Sequence, residues 1–260
     1  MKNVLENLGN RIITFFYYLG GLTTLVLQTL YLTFKPPFKK ERFFEQAKKA
    51  GHDSLPIVSL IALFIGFIFA LQTAYFMQRL GSEMYIASLV ALSLVRELGP
   101  VITALVVAGR VGAAITAELG SMQVTEQIDA LETLATSPIE YLVVPRFLAL
   151  SLMLPVLTIY ADIIGIFGSY LICVYKLGIS SSMYMKFTFD ALMFKDLFTG
   201  LFKTIFFGMI IAFVSCYEGF NVEGGAEGVG RATTRCVVTS FIMIIAADCF
   251  FTAIFYFIFP

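Results

Sequence analysis

The sequence predicts an all-α integral membrane protein, in which five transmembrane helices follow an N-terminal interfacial helix. Of the 260 residues, 58% are hydrophobic and 14% are charged, and the mean hydropathy is +0.86. Soluble domains are roughly half apolar and about a quarter charged, so this composition excludes a soluble enzyme. At roughly 20 residues per spanning helix, the length allows six or seven spans and leaves no room for a large globular domain.

The first fifty residues form a unit of their own, and residues 51–260 form the transmembrane domain. Residues 12–34 are uncharged but contain several Gly, Thr and Gln residues. Their length allows a membrane span, whereas the polar insertions and the basic arm that follows favour a helix in the membrane interface. The arm, residues 35–53, is rich in lysine, including Lys35 and Lys39, and we expect it to face the cytoplasm.

Five apolar segments after the arm are predicted to span the membrane. The second is longer than the hydrocarbon core is thick, so we expect a tilted or broken helix there. Basic residues are more frequent in the loops on the arm side, which predicts a cytoplasmic N-terminus and a periplasmic C-terminus. The segments are residues 55–77, 84–117, 139–175, 197–217 and 236–260.

Arg96 and Glu97 are adjacent charges inside the second apolar segment, about twelve residues from its start. This position predicts a location near the middle of the membrane, where a charge needs a partner or a wet cavity. One interpretation is a binding site for the headgroup of an amphipathic substrate, because a guanidinium forms bidentate bonds with phosphate. The alternative is a structural ion pair between helices.

An apolar stripe on the first span lies close to this pair across a short hairpin. Such a stripe usually packs against another helix, and the alternative is a wall for the acyl chain of a lipid. Its residues are Phe69, Gln72, Phe76 and Leu80, with Met77 beside them.

Arg110, Asp162, Lys203 and Asp248 are isolated charges within apolar sequence. Each needs a partner in the membrane, and we expect structural pairing between helices. A proton relay through the two aspartates is the alternative.

A short amphipathic helix is predicted between the second and third spans. Residues 118–140 contain five acidic residues and no basic one, so this loop is expected to dock on protein rather than on anionic lipid. A solvated helix with no partner is the alternative. The apolar face comprises Val124, Ile128, Leu131 and Ala135, and the polar face includes Glu126, Asp129 and Glu132.

The sequence contains no recognisable metal or nucleotide site. Gly225 and Gly230 have the spacing of a phosphate-binding loop, but Arg231 and Ala232 replace its Lys and Ser/Thr. We therefore expect a turn-rich loop, with Thr233 or Thr234 capping the last span. The four cysteines are widely spaced, the only histidine has no ligand partners, and the zero net charge gives no reason to expect nucleic acid.

The residues from about position 50 to the C-terminus resemble the MlaE permease family. The resemblance rests on LVALSLVRELGPVITALVVAGRVGAAITAELGSMQVTEQIDAL (residues 89–131), on YLVVPRFLA and on GVGRATTRCVV. The departures are mild: the chain has no tryptophan, and residues 176–196 contain no residue typical of the family.

The resemblance implies the permease subunit of an ATP-driven ABC transporter that moves phospholipids between the inner membrane and a periplasmic MCE-domain ring, and so maintains outer-membrane lipid asymmetry. It implies a homodimer with lipid between the subunits, a cytoplasmic ABC ATPase that uses ATP and magnesium, and often a STAS-domain protein. The permease itself would be no enzyme and hold no cofactor. Arg96 and Glu97 would face the lipid cavity, and residues 124–135 would be the helix that couples to the ATPase.

Two other functions are compatible with the residues alone. A stand-alone secondary carrier would use Asp162 and Asp248 as proton sites. A scaffold that only anchors its partners would tolerate changes at Arg96 and Glu97.

Overall fold

The computed structural model describes residues 2–34 and 40–258, and all regular elements in these ranges are helical. Lys35 and Lys39 of the predicted arm lie outside them. The α-helices are α1 (Lys2–Thr33), α2 (Lys40–Ala50), α3 (Leu55–Arg79), α4 (Ile86–Ser93), α5 (Gly99–Val107), α6 (Ala113–Val124), α7 (Gln127–Thr133), α8 (Val144–Leu171), α9 (Ser181–Ala191), α10 (Phe194–Phe220) and α11 (Gly225–Ile258).

Five helical segments of the described chain are long and apolar enough to cross a membrane, which confirms the predicted fold class. Three of them run beyond the predicted bounds at both ends, because polar residues continue the helices past the apolar stretches. The segments are Lys40–Arg79, Glu83–Val124, Ile139–Lys176, Phe194–Phe220 and Gly225–Phe257.

The second span is long and irregular, as its length predicted. It contains two five-residue π-helices, Leu94–Leu98 and Ala108–Gly112, which separate α4, α5 and α6. π-Helical turns inside α-helices are rare and frequently mark functional positions. The first one contains both Arg96 and Glu97.

The bundle is held together by close approach of helix backbones. A Cβ atom on Gly66 of α3 would collide with the carbonyl oxygen of Gly165 on α8. One on Gly208 of α10 would collide with the carbonyl of Leu150, also on α8. Helices in lipid associate through such small-residue contacts, since hydrocarbon provides no hydrophobic driving force between them.

The two ends of the bundle differ. At one end, called the α7 end, lie α2, α7 and the turn between α10 and α11. At the other, called the α9 end, lie α9 and the hairpin between α3 and α4. The largest hydrophobic cluster includes Ile115, Leu150, Phe207 and Ile211.

Several loops predicted from the sequence are helical. The basic arm contains α2, and the loop after the third span contains α9. The glycine-rich segment belongs largely to α11, which begins at Gly225. Thr233 and Thr234 do not cap that helix; they lie within it and donate hydrogen bonds to the carbonyls of Val229 and Gly230. The N-terminal helix begins at Lys2, ten residues before its predicted start.

Candidate functional site

The π-helix that contains Arg96 and Glu97 leaves a backbone carbonyl without its usual partner. Its last hydrogen bond runs from the N–H of Gly99 to the carbonyl of Leu94. The next residue, Pro100, has no N–H to donate to the carbonyl of Arg96 four residues earlier. The Nζ of Lys203 lies 3.4 Å from that oxygen and donates to it instead.

Lys203 is the centre of the site, because its ammonium group collects several acceptors. It donates to Glu97 Oε2 at 2.6 Å and to Asp248 Oδ1 at 3.0 Å. A third bond, of 2.6 Å, joins it to Thr252 Oγ1, which in turn lies 3.2 Å from both carboxylate oxygens of Glu97. Only 1% of the Lys203 side chain is exposed, so these acceptors replace the water that burial removes.

Arg96 has a separate partner on the same helix as Lys203. Its Nη1 lies 3.6 Å from Asp196 Oδ1, and the other carboxylate oxygen of Asp196 accepts a hydrogen bond from the N–H of Met193. Asp196 is thereby held at the first turn of α10. We call these linked residues the polar cluster: Arg96, Glu97, Asp196, Lys203, Asp248 and Thr252.

The polar cluster lies in the half of the bundle that is nearer to the α9 end. Asp196 is the third residue of α10, and Lys203 follows it by two turns, or roughly 10 Å.

The exposed part of the cluster is a guanidinium beside a carboxylate. The side chains of Arg96 and Glu97 are each 38% exposed, whereas Asp196 and Lys203 are buried. One pairing between the isolated charges is present, from Lys203 to Asp248. Lys203 also binds Glu97, which is the structural ion pair between helices that was the alternative for Glu97. The arrangement can hold a polar group while the buried residues keep both side chains in place.

The stripe on α3 is not joined to the polar cluster within one chain. Phe69 and Met77 are partly buried against a hydrophobic cluster that includes Leu94. Gln72, Phe76 and Leu80 are exposed on the outer surface. The polar cluster takes its partners from α10 and α11 instead.

The amphipathic segment at the α7 end is shorter than predicted and is oriented by packing. The helix covers Gln127–Thr133, so Val124 belongs to α6 and Ala135 lies beyond the end with a left-handed φ of 54°. Ile128 is buried and Leu131 is partly buried against the main hydrophobic cluster. Ile128 and Leu131 therefore pack on the protein itself, while the docking of this segment on a partner protein stays a prediction.

The outer surface of α7 is acidic. Glu126, Asp129 and Glu132 are exposed, and so is Leu134 immediately after the helix. Glu126 begins the helix with a left-handed φ of 58°, a conformation that costs energy for a residue other than glycine. The turn before α7 is thus held in a defined shape by its surroundings.

A group of ion pairs at the α7 end was missed by sequence reasoning. Buried Arg146 lies 3.1 Å from Glu118 and donates to the carbonyl of Leu142. Arg110 donates to Ser54 Oγ at 2.7 Å, so its partner is a hydroxyl rather than the expected acid. The signal available in the sequence was only an isolated arginine within each of these apolar stretches, without its partner.

Asp162 differs from the other isolated charges. Only 6% of the surface of the whole residue is exposed. Its Oδ1 has no hydrogen-bond partner among the described residues and lies against Gly99. The structural pairing with another charge that was expected for Asp162 is therefore not found at its Oδ1 among the described residues.

The comparison with known proteins settles the family. The model of the family described as "Permease MlaE" matches residues 43–254, which is most of the chain. The chain belongs to the MlaE permease family. This confirms the resemblance and makes the protein a permease subunit of an ABC-type transporter.

Relatives in several bacteria support the same assignment. A probable ABC transporter permease protein from Rickettsia felis is 43% identical over 98% of this chain and 99% of its own length. One from Synechocystis is 39% identical over 92% of this chain and 89% of its own length. The intermembrane phospholipid transport system permease protein MlaE from Haemophilus influenzae is 36% identical over 97% of each chain.

Proposed function

We propose that this MlaE family permease moves phospholipid between the inner membrane and a periplasmic MCE-domain ring, driven by a separate cytoplasmic ABC ATPase, and so maintains outer-membrane lipid asymmetry. The relative from Haemophilus influenzae is named for phospholipid transport, which supports the substrate class. The observation that carries the proposal is the half-exposed Arg96–Glu97 pair, fixed in a membrane helix by buried Lys203.

The exposure of Arg96 supports a role beyond structure. A structural ion pair in the membrane gains most when both partners are buried against each other, because charge exposed to lipid is costly. Arg96 instead meets Asp196 at 3.6 Å, which is loose for a charge-assisted hydrogen bond, and keeps 38% of its side chain exposed. A phosphate group would complete its hydrogen bonds. The apolar stripe containing Phe69 and Phe76 would contact the acyl chains.

A second copy of the chain is part of the proposal. In α11 only 11% of the most apolar stretch is buried, compared with 67% in the span Ile139–Lys176. Residues such as Val238, Ile242 and Phe250 are exposed on that helix, which also contributes Asp248 to the polar cluster. A homodimer formed along α11 would cover this face and enclose the cluster in a cavity between the subunits.

The acidic surface of α7 is proposed as the contact with the ATPase, which supplies ATP and magnesium. With Ile128 packed inward, the charges of Glu126, Asp129 and Glu132 are what a partner meets. A basic groove on the ATPase would fit them, and salt would weaken the contact. A STAS-domain protein would complete the cytoplasmic assembly.

The proposed orientation places the α7 end in the cytoplasm, with the N-terminus there and the C-terminus in the periplasm. The basic residues of α2 at this end support it through the positive-inside rule. We also place α1 in the membrane interface, since it contacts Tyr217 and the segment Ile139–Val143, both at the α7 end.

A proton-coupled carrier is less well supported. It requires Asp162 and Asp248 to exchange protons, but Asp248 is bound by Lys203. Asp162 lines a different cleft, between α3, α5 and α8.

Reconstitution tests the lipid-transport proposal. The protein and its ATPase are placed in vesicles with fluorescent phospholipid, and ATP-dependent transfer to the MCE-domain protein is measured. Arg96→Ala should lower the rate tenfold or more, whereas Arg79→Ala, the same change outside the polar cluster, should leave it unchanged. Equal rates for wild type and Arg96→Ala would refute the assigned lipid site.

Coupling at α7 is tested separately by binding of the ATPase in increasing salt. A triple change of Glu126, Asp129 and Glu132 to their amides should weaken binding at low salt and flatten the salt dependence, with unchanged thermal unfolding. Ile128→Asp should unfold the protein instead, because it places a charge in the core. Unaltered ATPase binding by the triple variant would contradict an acidic docking surface.

A further inference from the structure

Asp162 of α8 is a buried acid that belongs neither to the polar cluster nor to the ion pairs at the α7 end. Its Oδ1 has no hydrogen-bond partner among the described residues, and only 6% of the residue is exposed. The described residues that line the cleft around it include no lysine, arginine or histidine. A carboxylate inside a membrane helix bundle needs a compensating charge, so we expect that charge to come from outside the chain.

The cleft beside Asp162 has room for one particle of the size of a water molecule. It lies between α3, α5 and α8, and the space in it measures about 20 Å³. A single water needs roughly 10–15 Å³, so a phosphate or a lipid headgroup is too large for this space. The lining is apolar apart from Asp162 and Thr103, and its apolar residues include Ile61, Ile102 and Val106.

Gly99 brings a second oxygen atom close to the carboxylate. This residue follows the π-helix Leu94–Leu98, and its N–H donates to the carbonyl of Leu94. A Cβ atom on Gly99 would collide with Asp162 Oδ1 and would lie 2.9 Å from the carbonyl oxygen of Leu94. Both oxygens therefore border the same point, which a side chain at position 99 would fill. A carbonyl has two lone pairs, so that of Leu94 retains one for a further partner.

The oxygen atoms around this space are suited to a small cation. They are the carboxylate of Asp162, the carbonyl of Leu94 and the hydroxyl of Thr103, which lines the same cleft. Hard cations bind such oxygens, and in membrane transporters carbonyls beside a break in a helix commonly hold a coupling ion.

The charge of the site favours a monovalent cation. Asp162 supplies a single negative charge, whereas a divalent cation would leave a positive excess and would take six or more oxygen ligands. A water molecule would fill the space without neutralising the carboxylate. A proton would neutralise the carboxylate without filling the space.

We infer that Asp162, Thr103 and the carbonyl of Leu94 bind one monovalent cation of the size of sodium in the cleft between α3, α5 and α8. The bound ion ties α8 to the π-helix of the second span, because its ligands come from both. The inference goes beyond the proposed function and does not depend on it, since the ion would bind whether or not the chain moves phospholipid.

Thermal unfolding of the full chain in detergent tests the inference. The unfolding midpoint is measured in sodium chloride and in choline chloride of equal concentration, because choline is too large for a space of water size. At a sodium concentration ten times the dissociation constant, the wild-type midpoint should lie about 3–6 °C above its value in choline. Equal midpoints in the two salts throughout a sodium titration would overturn the inference.

Three variants assign the sodium response to this site. Asp162→Asn should remove the difference between the two salts and should unfold in choline at or above the wild-type midpoint. Asp190→Asn, the same change at an exposed residue of α9, should keep the full difference. Thr103→Val keeps the carboxylate but loses the hydroxyl, so it should need several times more sodium for half of the shift.

Two further outcomes would contradict the site. A sodium response that survives in Asp162→Asn would be a general effect of salt on the protein. A wild-type midpoint that depends on pH but not on sodium would identify a proton as the occupant. Because the wild-type titration and Thr103→Val do not depend on the folding of Asp162→Asn, poor folding of that variant leaves the test intact.

Discussion

Removing the positive charge of Lys203 should destabilise the protein more than any other single charge change at the α9 end. The Nζ lies 2.6 Å from Glu97 and 3.0 Å from Asp248. In Lys203→Met both carboxylates lose their counter-ion and repel each other, and the carbonyl of Arg96 loses its donor. Removing one partner of a buried ion pair costs about 3–5 kcal/mol.

The lower end of that range is the better expectation here. Glu97 is 38% exposed, so solvent screens part of its interaction, whereas Asp248 is 21% exposed. A loss of about 3 kcal/mol corresponds to a fall of roughly 6–12 °C in the unfolding midpoint, at 2–4 °C per kcal/mol for a chain of this size.

Thermal unfolding in detergent provides the assay, with Lys195→Met as the matched control. Lys195 is exposed at the start of the same helix, so its midpoint should stay close to that of wild type. A triple variant that also carries Glu97→Gln and Asp248→Asn should recover at least half of the loss, because neutral groups need no counter-ion. A midpoint for Lys203→Met equal to that of the control would refute the assigned ion-pair network.

Two further substitutions test the packing of the bundle. Gly66→Ala should lower the free energy of unfolding by about 1–3 kcal/mol, because its methyl group would collide with the backbone of Gly165. Gly20→Ala is the control, because a methyl group at Gly20 has open space around it. In the same thermal unfolding assay this control should be neutral or stabilising. In sodium-free buffer, Asp162→Asn should leave the unfolding midpoint unchanged or raise it, because Oδ1 loses no described partner and an isolated buried charge is removed. A marked fall in the midpoint of Asp162→Asn would instead show that its carboxylate has an essential partner.

The membrane-spanning helices could be predicted from the sequence because the membrane imposes the same requirement on each residue separately. A residue in hydrocarbon must be apolar or have a partner, so runs of uncharged residues mark the spans directly. The start of α3 at Leu55 was located in this way. The amphipathic elements α2 and α9 were not, since neither has an apolar run long enough to stand out.

Only part of the candidate site could be predicted from the sequence. Arg96 and Glu97 stand out as adjacent charges in an apolar segment, but their environment depends on residues more than a hundred positions later. Lys203 and Asp248 were recognised only as charges in need of partners, and the amphipathic pattern of α7 did not show that Ile128 packs on the same chain. Amphipathic periodicity identifies an apolar face without saying whether it meets the same chain or another one.

The sequence by itself determined that this protein is an all-helical membrane protein, how many apolar spans it has and which charges need partners, because the cost of polar groups in lipid acts on each segment independently. Only the tertiary structure decided that Lys203 joins Glu97 to Asp248, that Arg96 meets Asp196 and that Ile128 packs inward. These outcomes depend on how the helices approach one another. That approach is set by backbone contacts such as Gly66 against Gly165, which join positions far apart in the chain and leave no local pattern in the residues.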